Sequence, residues 1–253
     1  MKFFRNRRDD FRMAAMMLMR IPVGSYALSS DATLARAVWA FPLVGALVGA
    51  LAGLVFWGSV AVRLPVSVAA VLALITVALI TGGLHEDGLA DFTDGLGGGR
   101  TREHRLEIMR DSRIGAYGTL ALVLAFLLRF AAIIALASPH VVVLTWIAAG
   151  ATSRGAAVLL LWALPPARSD GLGVQAASPP RWSVCFALLL AVVITIAAAG
   201  QGAIVAIAAA LGATGIVYGL ARRYLQGHTG DVLGACVLGS ECAVLVVASA
   251  WWA

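Results

Sequence analysis

Between residues 84 and 95 a very apolar chain turns acidic. The run Leu84-His85-Glu86-Asp87-Gly88-Leu89-Ala90-Asp91-Phe92-Thr93-Asp94-Gly95 carries His85, Glu86, Asp87, Asp91 and Asp94. Asp87, Asp91 and Asp94 stand at i, i+4 and i+7, within about 60° of one face of a helix. Carboxylates that close repel each other by about 3 kcal/mol per pair at about 5 Å and an effective dielectric of about 20. A divalent cation relieves such repulsion, as arginines would. All-oxygen ligation, with no Cys/His set beside it, points to Mg²⁺ or Mn²⁺. Mg²⁺ held by carboxylates keeps positions open for substrate phosphates, so phosphoryl-group chemistry is the natural inference. Asp87, Asp91 and Asp94 are the candidate metal face.

The neighbouring residues fit less uniformly. His85 sits nearly opposite Asp87 on a helical wheel, which makes it a supporting group unless Gly82-Gly83 breaks the helix, and Glu86 lies about 100° off the aspartate face. Downstream, Arg110 and Arg113, beside Asp111 and Ser112, offer the bidentate donors that a pyrophosphate needs. The competing reading is a solvated helix face on which Glu103 and Glu107 pair with those arginines. Gly88, Gly95 and Gly97-Gly98-Gly99 either admit phosphate oxygens to the backbone or form a flexible loop.

Further polar residues interrupt apolar surroundings. Ser153-Arg154-Gly155 puts a guanidinium inside a predicted span, where it needs an anion or a polar cavity. Glu241 is three turns into the last apolar segment, and Arg154 with Glu241 is the expected pair. Arg129 raises the same question with no obvious partner. Asp231, in His228-Thr229-Gly230-Asp231, reads from position alone as a helix N-cap.

The elements that must position these groups are membrane helices. The chain has 253 residues, of which 61% are hydrophobic and 13% charged, where a soluble domain carries about a quarter charged. Apolar segments run over 33–62, 66–84, 115–137, 141–164, 183–199, 203–221 and 233–252, each long enough to cross a hydrocarbon core of about 30 Å. This predicts one all-α, polytopic bundle over 1–253 with about seven spans, and no alternating pattern supports a barrel. Pro42, Gly45, Gly49 and Gly53 in the first span imply close packing or a kink. Residues 1–30 form an N-terminal segment, its Met13–Met19 stretch too short for a signal peptide, and read as an interfacial helix. Lys/Arg bias keeps the N-terminus, the 85–114 acidic and arginine segment, the 165–182 loop and the 222–231 loop inside, in contact with anionic lipid. Cys185, Cys236 and Cys242 lack metal or disulfide spacing. The basic residues are not interleaved with exposed aromatics, which argues against nucleic-acid binding. A homo-oligomer is left open.

Together these residues resemble the cobalamin synthase family, the bacterial adenosylcobinamide-GDP ribazoletransferases of vitamin B12 assembly. The resemblance rests on Gly82-Gly83-Leu84-His85 with Asp87-Gly88-Leu89-Ala90-Asp91 and Asp94-Gly95, followed by Leu106-Glu107-Ile108-Met109-Arg110-Asp111-Ser112-Arg113-Ile114-Gly115. Arg20-Ile21-Pro22-Val23, Phe41-Pro42-Leu43-Val44-Gly45, Ser153-Arg154-Gly155, Gly171-Leu172-Gly173 and Thr229-Gly230-Asp231 extend it. Two positions depart from the family pattern: Glu86, where an apolar residue is usual, and Leu238, where an acid is often found. The resemblance implies a multi-pass enzyme of the bacterial inner membrane, dependent on Mg²⁺, with its site facing the cytoplasm. The 5′-hydroxyl of α-ribazole, or its 5′-phosphate form, would attack adenosylcobinamide-GDP and release GMP. It also implies that Asp87, Asp91 and Asp94 bind metal, one of them accepting the proton. Arg110, Asp111, Ser112, Arg113, Arg154 and Asp231 would hold substrate, with His85 and Glu241 in support. A more distant resemblance, to the CDP-alcohol phosphotransferases, implies related chemistry on a lipid alcohol. An ion-coupled transporter is the alternative from another class, and the absence of an internal repeat argues against it.

Overall fold

The computed structural model describes residues 2–20, 33–136 and 138–252. Ile21, Pro22, Val23 and the rest of the 1–30 segment beyond Arg20 lie outside the described residues. The helices are α1 (Lys2–Leu18), α2 (Leu34–Ala37), α3 (Phe41–Ala61), α4 (Val66–Thr81), α5 (Leu84–Gly98), α6 (Arg102–Ile108), α7 (Ala116–Leu136), α8 (Pro139–Ala163), α9 (Leu172–Ala176), α10 (Arg181–Ala199), α11 (Ala203–Tyr224) and α12 (Gly230–Trp251). No strand forms among the described residues; one isolated bridge joins Pro166 to His228. The expected all-helical bundle is present.

Five helical stretches are long and apolar enough to cross a membrane, and six if α4 and α5 together make one span. One of the five, Arg181–Tyr224, doubles back. Gly200, at φ +53°, breaks the helix. Thr195 on α10 meets Thr152 on α8, and Thr214 on α11 meets Ser240 on α12. Ala199 and Ala203, on either side of the break, share one apolar cluster with Ala148. α10 and α11 therefore run antiparallel, and counting them separately accounts for the seven passes expected.

α8 is the central helix: 78% of its apolar window is buried, against 28% for α7, whose Leu120, Leu124 and Leu127 face outward. The α3–α8 contact is made by glycine. Gly45 lies on the Gly150 carbonyl, Gly49 on that of Trp146 and Gly53 on Val143, so a Cβ at any of the three would overlap its neighbour. Close packing, rather than a kink, is what this spacing encodes. Pro42 sits in the first turn of α3, where its missing N–H costs nothing.

The α4–α5 corner orients the acidic run. Gly82 (φ +64°) and Gly83 (φ +70°) are both left-handed, a conformation that a Cβ disfavours. They end α4 and restart α5 with its axis turned by 87°. α5 then packs between α7 and α12. The N-terminal helix docks on the bundle: Ala14, Ala15, Leu18 and Met19 are buried. Asp10 accepts a bond from Trp39 Nε1 at 3.2 Å, and the Arg7 guanidinium lies 4.1 Å from the Trp182 ring centre.

Candidate active site

α5 and α12 touch backbone to backbone. A Cβ on Gly88 would stand 3.0 Å from the Gly234 Cα, and one on Gly234 would stand 3.1 Å from the Gly88 Cα. This approach brings Asp87 and Asp91 toward Asp231 in the first turn of α12. Asp87, Asp94, Asp231 and Arg168 are all close enough to Asp91 to act on its charge. The N-cap of α12 is Thr229, not Asp231: the Thr229 hydroxyl accepts the Val232 N–H at 3.3 Å and donates to Asp231 Oδ2 at 3.1 Å. Arg168 Nη2 donates to the same oxygen at 3.2 Å. Asp231 Oδ1 is left without a partner among the described residues.

The three aspartates of α5 are not equivalent. Asp87 is exposed and Asp91 half-buried, and neither has a hydrogen-bond or ion-pair partner among the described residues. Asp94 is buried, and both its oxygens are engaged. Oδ2 accepts the Gly115 N–H at 2.7 Å and Oδ1 the Gly118 N–H at 2.9 Å. It anchors the start of α7, where unpaired N–H groups and the helix dipole favour a carboxylate.

Asp87 is common to two cavities. The narrower, about 240 Å³, has His85, Arg154, Arg168, Asp170 and Asp231 among its polar lining. The wider, about 780 Å³, is lined by Arg20, Asp91, Arg110, Asp111 and Ser112. Met17 and Leu84 also belong to both. The double glycine ends α4 just before His85, and the narrower cavity wraps the first turn of α5, so His85 and Asp87 reach it despite their opposed wheel positions.

The arginine segment divides. Arg110 Nη2 meets Asp170 Oδ1 at 2.7 Å across the cavity rim. Arg113 lines neither cavity; its side chain is 86% exposed and pairs with Asp111 at 2.6 Å. Hydrogen bonds from Arg113 hold the Asp111 carboxyl down to about 2, and the same bonds raise the guanidinium.

Behind the cavities lies a chain of buried charge. Arg154 Nη1 donates to Glu241 Oε2 at 2.7 Å, the pair expected from the sequence. Arg129 reaches Glu241 Oε1 at 3.3 Å and Glu86 Oε1 at 3.2 Å. Arg129, Arg154 and Glu241 are almost wholly buried. Each charge thus meets an opposite one, which is how ionised groups are tolerated in an apolar interior.

Among the described residues no group of three His, Cys, Asp or Glu side chains is gathered closely enough to cage a metal. Asp87 and Asp91 instead present unengaged carboxylates to open space. That suits Mg²⁺, which takes one or two carboxylates and completes its shell with water and substrate phosphate.

The sequence model of the cobalamin-5-phosphate synthase family matches residues 10–249. This chain belongs to that family. Proteins named adenosylcobinamide-GDP ribazoletransferase match along nearly their whole length. That of Bradyrhizobium diazoefficiens is 46% identical over 248 residues (98% of this chain, 95% of the relative). That of Azorhizobium caulinodans is 44% identical (94% of each chain), and that of Shewanella amazonensis is 40% identical (100% and 99%). No solved structure matches.

In this cobalamin-5-phosphate synthase family member, the sequence reading gave no site role to Arg168, Asp170 or Arg20, although Arg20 belongs to one of the family matches. It also left Glu86 at the margin. Two signals were available. Arg129 and Glu86 were opposite charges without partners in apolar surroundings, and Arg168 lies beside the Gly171-Leu172-Gly173 match.

Proposed function

We propose that the chain transfers the adenosylcobinamide-phosphate group of adenosylcobinamide-GDP to α-ribazole or its 5′-phosphate. The products are adenosylcobalamin, or its 5′-phosphate, and GMP. The observation that carries this reading is Asp87 on the shared wall of two cavities, so that two substrates can reach one acidic cluster. The relatives' names supply the substrates.

The atoms constrain the nucleophile. An acceptor that bears a 5′-phosphate, and keeps it in the product, has no free 5′-hydroxyl. One site serving both acceptors must therefore use a ring hydroxyl of the ribose, which revises the expected 5′ attack. That oxygen bonds to the phosphorus carrying cobinamide, the bridging P–O bond breaks, and GMP leaves. Asp231, which lines the narrower cavity and whose Oδ1 has no partner among the described residues, would take the hydroxyl proton. Arg168 holds the other Asp231 oxygen and fixes its direction.

Asp87 and Asp91 would hold Mg²⁺. Bound there, the ion would neutralise charge building on the phosphoryl oxygens. Asp94, expected from spacing as a third ligand, supports α7 in this reading. Arg20 would bind phosphate; Arg110, expected to do so, is engaged by Asp170, while Arg154, held by Glu241, lines the narrower cavity. The arginine-rich end of the bundle fits the cytoplasmic face of a bacterial inner membrane, where a GDP-activated substrate is available.

Purified protein with Mg²⁺, adenosylcobinamide-GDP and α-ribazole should release GMP. Absence of release, or full activity in Asp87→Ala, would overturn the mechanism.

A further inference from the structure

The geometry points to a division of the two substrates between the two cavities, an assignment that rests on the transferase reading above. The narrower cavity takes the acceptor, with its aromatic base against the apolar wall. The wider groove takes the donor, with its diphosphate on Arg20.

Size and lining argue for the acceptor side. The lining of the narrower cavity is mainly apolar, with Phe41, Ala157, Leu161, Leu233 and Val237, and the charge of its buried Arg154 is already met by Glu241. A benzimidazole-type base is flat, apolar and poor in hydrogen-bonding edges, so such a box suits it, with the ribose left at the polar rim beside Asp231. A corrin macrocycle cannot enter a space of about 240 Å³.

Charge argues for the donor side. Arg110 is paired with Asp170, Arg113 with Asp111, and Arg168 with Asp231. Arg20 is exposed on the groove and has no carboxylate partner among the described residues. It is nevertheless held in place. Its backbone N–H donates to the Ile80 carbonyl at 2.6 Å, and its side-chain stem fills the room left by the missing Cβ of Gly82. A guanidinium on a held stem, with no carboxylate partner among the described residues and beside two open carboxylates, suits a diphosphate that arrives with Mg²⁺. Met16, Met19 and Met109 line the same groove, and methionine moulds to bulky, irregular ligands.

The division also fits the reaction geometry. In-line displacement needs the attacking and leaving oxygens on opposite sides of phosphorus. The acceptor oxygen arrives from the narrower cavity, its proton passing to Asp231. The P–O–P bond opens toward the groove, which receives GMP.

The test uses the full-length chain in detergent. Ala157→Leu fills the narrower cavity and should raise KM for α-ribazole about tenfold or more, with KM for adenosylcobinamide-GDP nearly unchanged. Arg20→Ala should do the reverse, by about tenfold or more. The opposite pattern, or both KM values rising together in either variant, overturns the division. Calorimetry on the unmutated protein gives a measurement independent of variant folding. GDP with Mg²⁺ and α-ribazole should bind together, each with its affinity kept in the presence of the other; mutual displacement overturns the division. Absence of turnover with both ligands still bound side by side would instead count against the transferase reading.

Discussion

Glu86 and Arg129 meet in the bundle interior at 3.2 Å, although 43 residues separate them in the chain. The contact ties α5, which carries the acidic run, to the middle of α7. Glu241 extends it to Arg154 on α8. Removing one member strands a buried charge, which costs about 3–5 kcal/mol, whereas removing an opposite pair together costs far less. Glu86→Ala should lower the thermal unfolding midpoint in detergent sharply. The double change Glu86→Leu with Arg129→Met should recover much of that loss, because Glu241 keeps Arg154. A double-mutant cycle measures the coupling.

The Gly88–Gly234 approach makes a different prediction. Gly88→Val pushes α5 off α12 and moves Asp87 and Asp91 away from Asp231. Misplacement by about 1 Å costs on the order of a hundredfold in rate. GMP release should fall by that amount while circular dichroism still reports a fully helical protein.

In the proposed mechanism Asp94 should separate from its two neighbours on α5 in its response to metal. Asp94→Ala removes the acceptor of two N–H groups and should cost about 1–2 kcal/mol of stability, with the Mg²⁺ dependence of turnover unchanged. Asp87→Asn or Asp91→Asn should raise the Mg²⁺ concentration for half-maximal activity by about tenfold or more. Titrating Mg²⁺ against GMP release in the three variants distinguishes anchor from ligand.

His228 provides a pH test outside the spans. It is buried, and among the described residues neither ring nitrogen has a hydrogen-bond partner. Burial pushes its pKa from 6.5 down to about 4. The unfolded chain therefore takes up a proton near pH 6.5 while the folded chain does so only near 4, so the unfolded state binds more protons in between. Stability falls as pH drops through that window and levels off below it. Thermal unfolding from pH 7 to 4 should show this loss, reduced in His228→Phe. That replacement gives up no hydrogen bond and leaves the midpoint at pH 7 largely intact.

The long-range architecture was largely legible because apolar length and glycine spacing are local properties. Gly45, Gly49 and Gly53 mark one helix face whatever lies against it, and here α8 does. Arg154 and Glu241 could be matched because each was a costly charge inside a predicted span. Glu86 and Arg129 met the same criterion, but a wheel drawn on the aspartates judged Glu86 by its angle to Asp87 and not by what stood behind it. Periodicity made Asp87, Asp91 and Asp94 equal. Only the packing of α7 against the end of α5 shows that Asp94 points at backbone N–H groups. The Arg110–Asp170 and Arg168–Asp231 pairs, 60 and 63 residues apart, join segments whose proximity no local pattern encodes.

The buried chain of Glu86, Arg129, Glu241 and Arg154 holds two charges of each sign. A transmembrane voltage does work on each charge moved through the field, about 2.3 kcal/mol per charge per 100 mV, and opposite charges that move together cancel. These four residues sum to zero and are locked to one another, so an energised membrane has no lever on them. The pairs that back Asp87 should therefore hold the same geometry in a charged membrane and in a collapsed one.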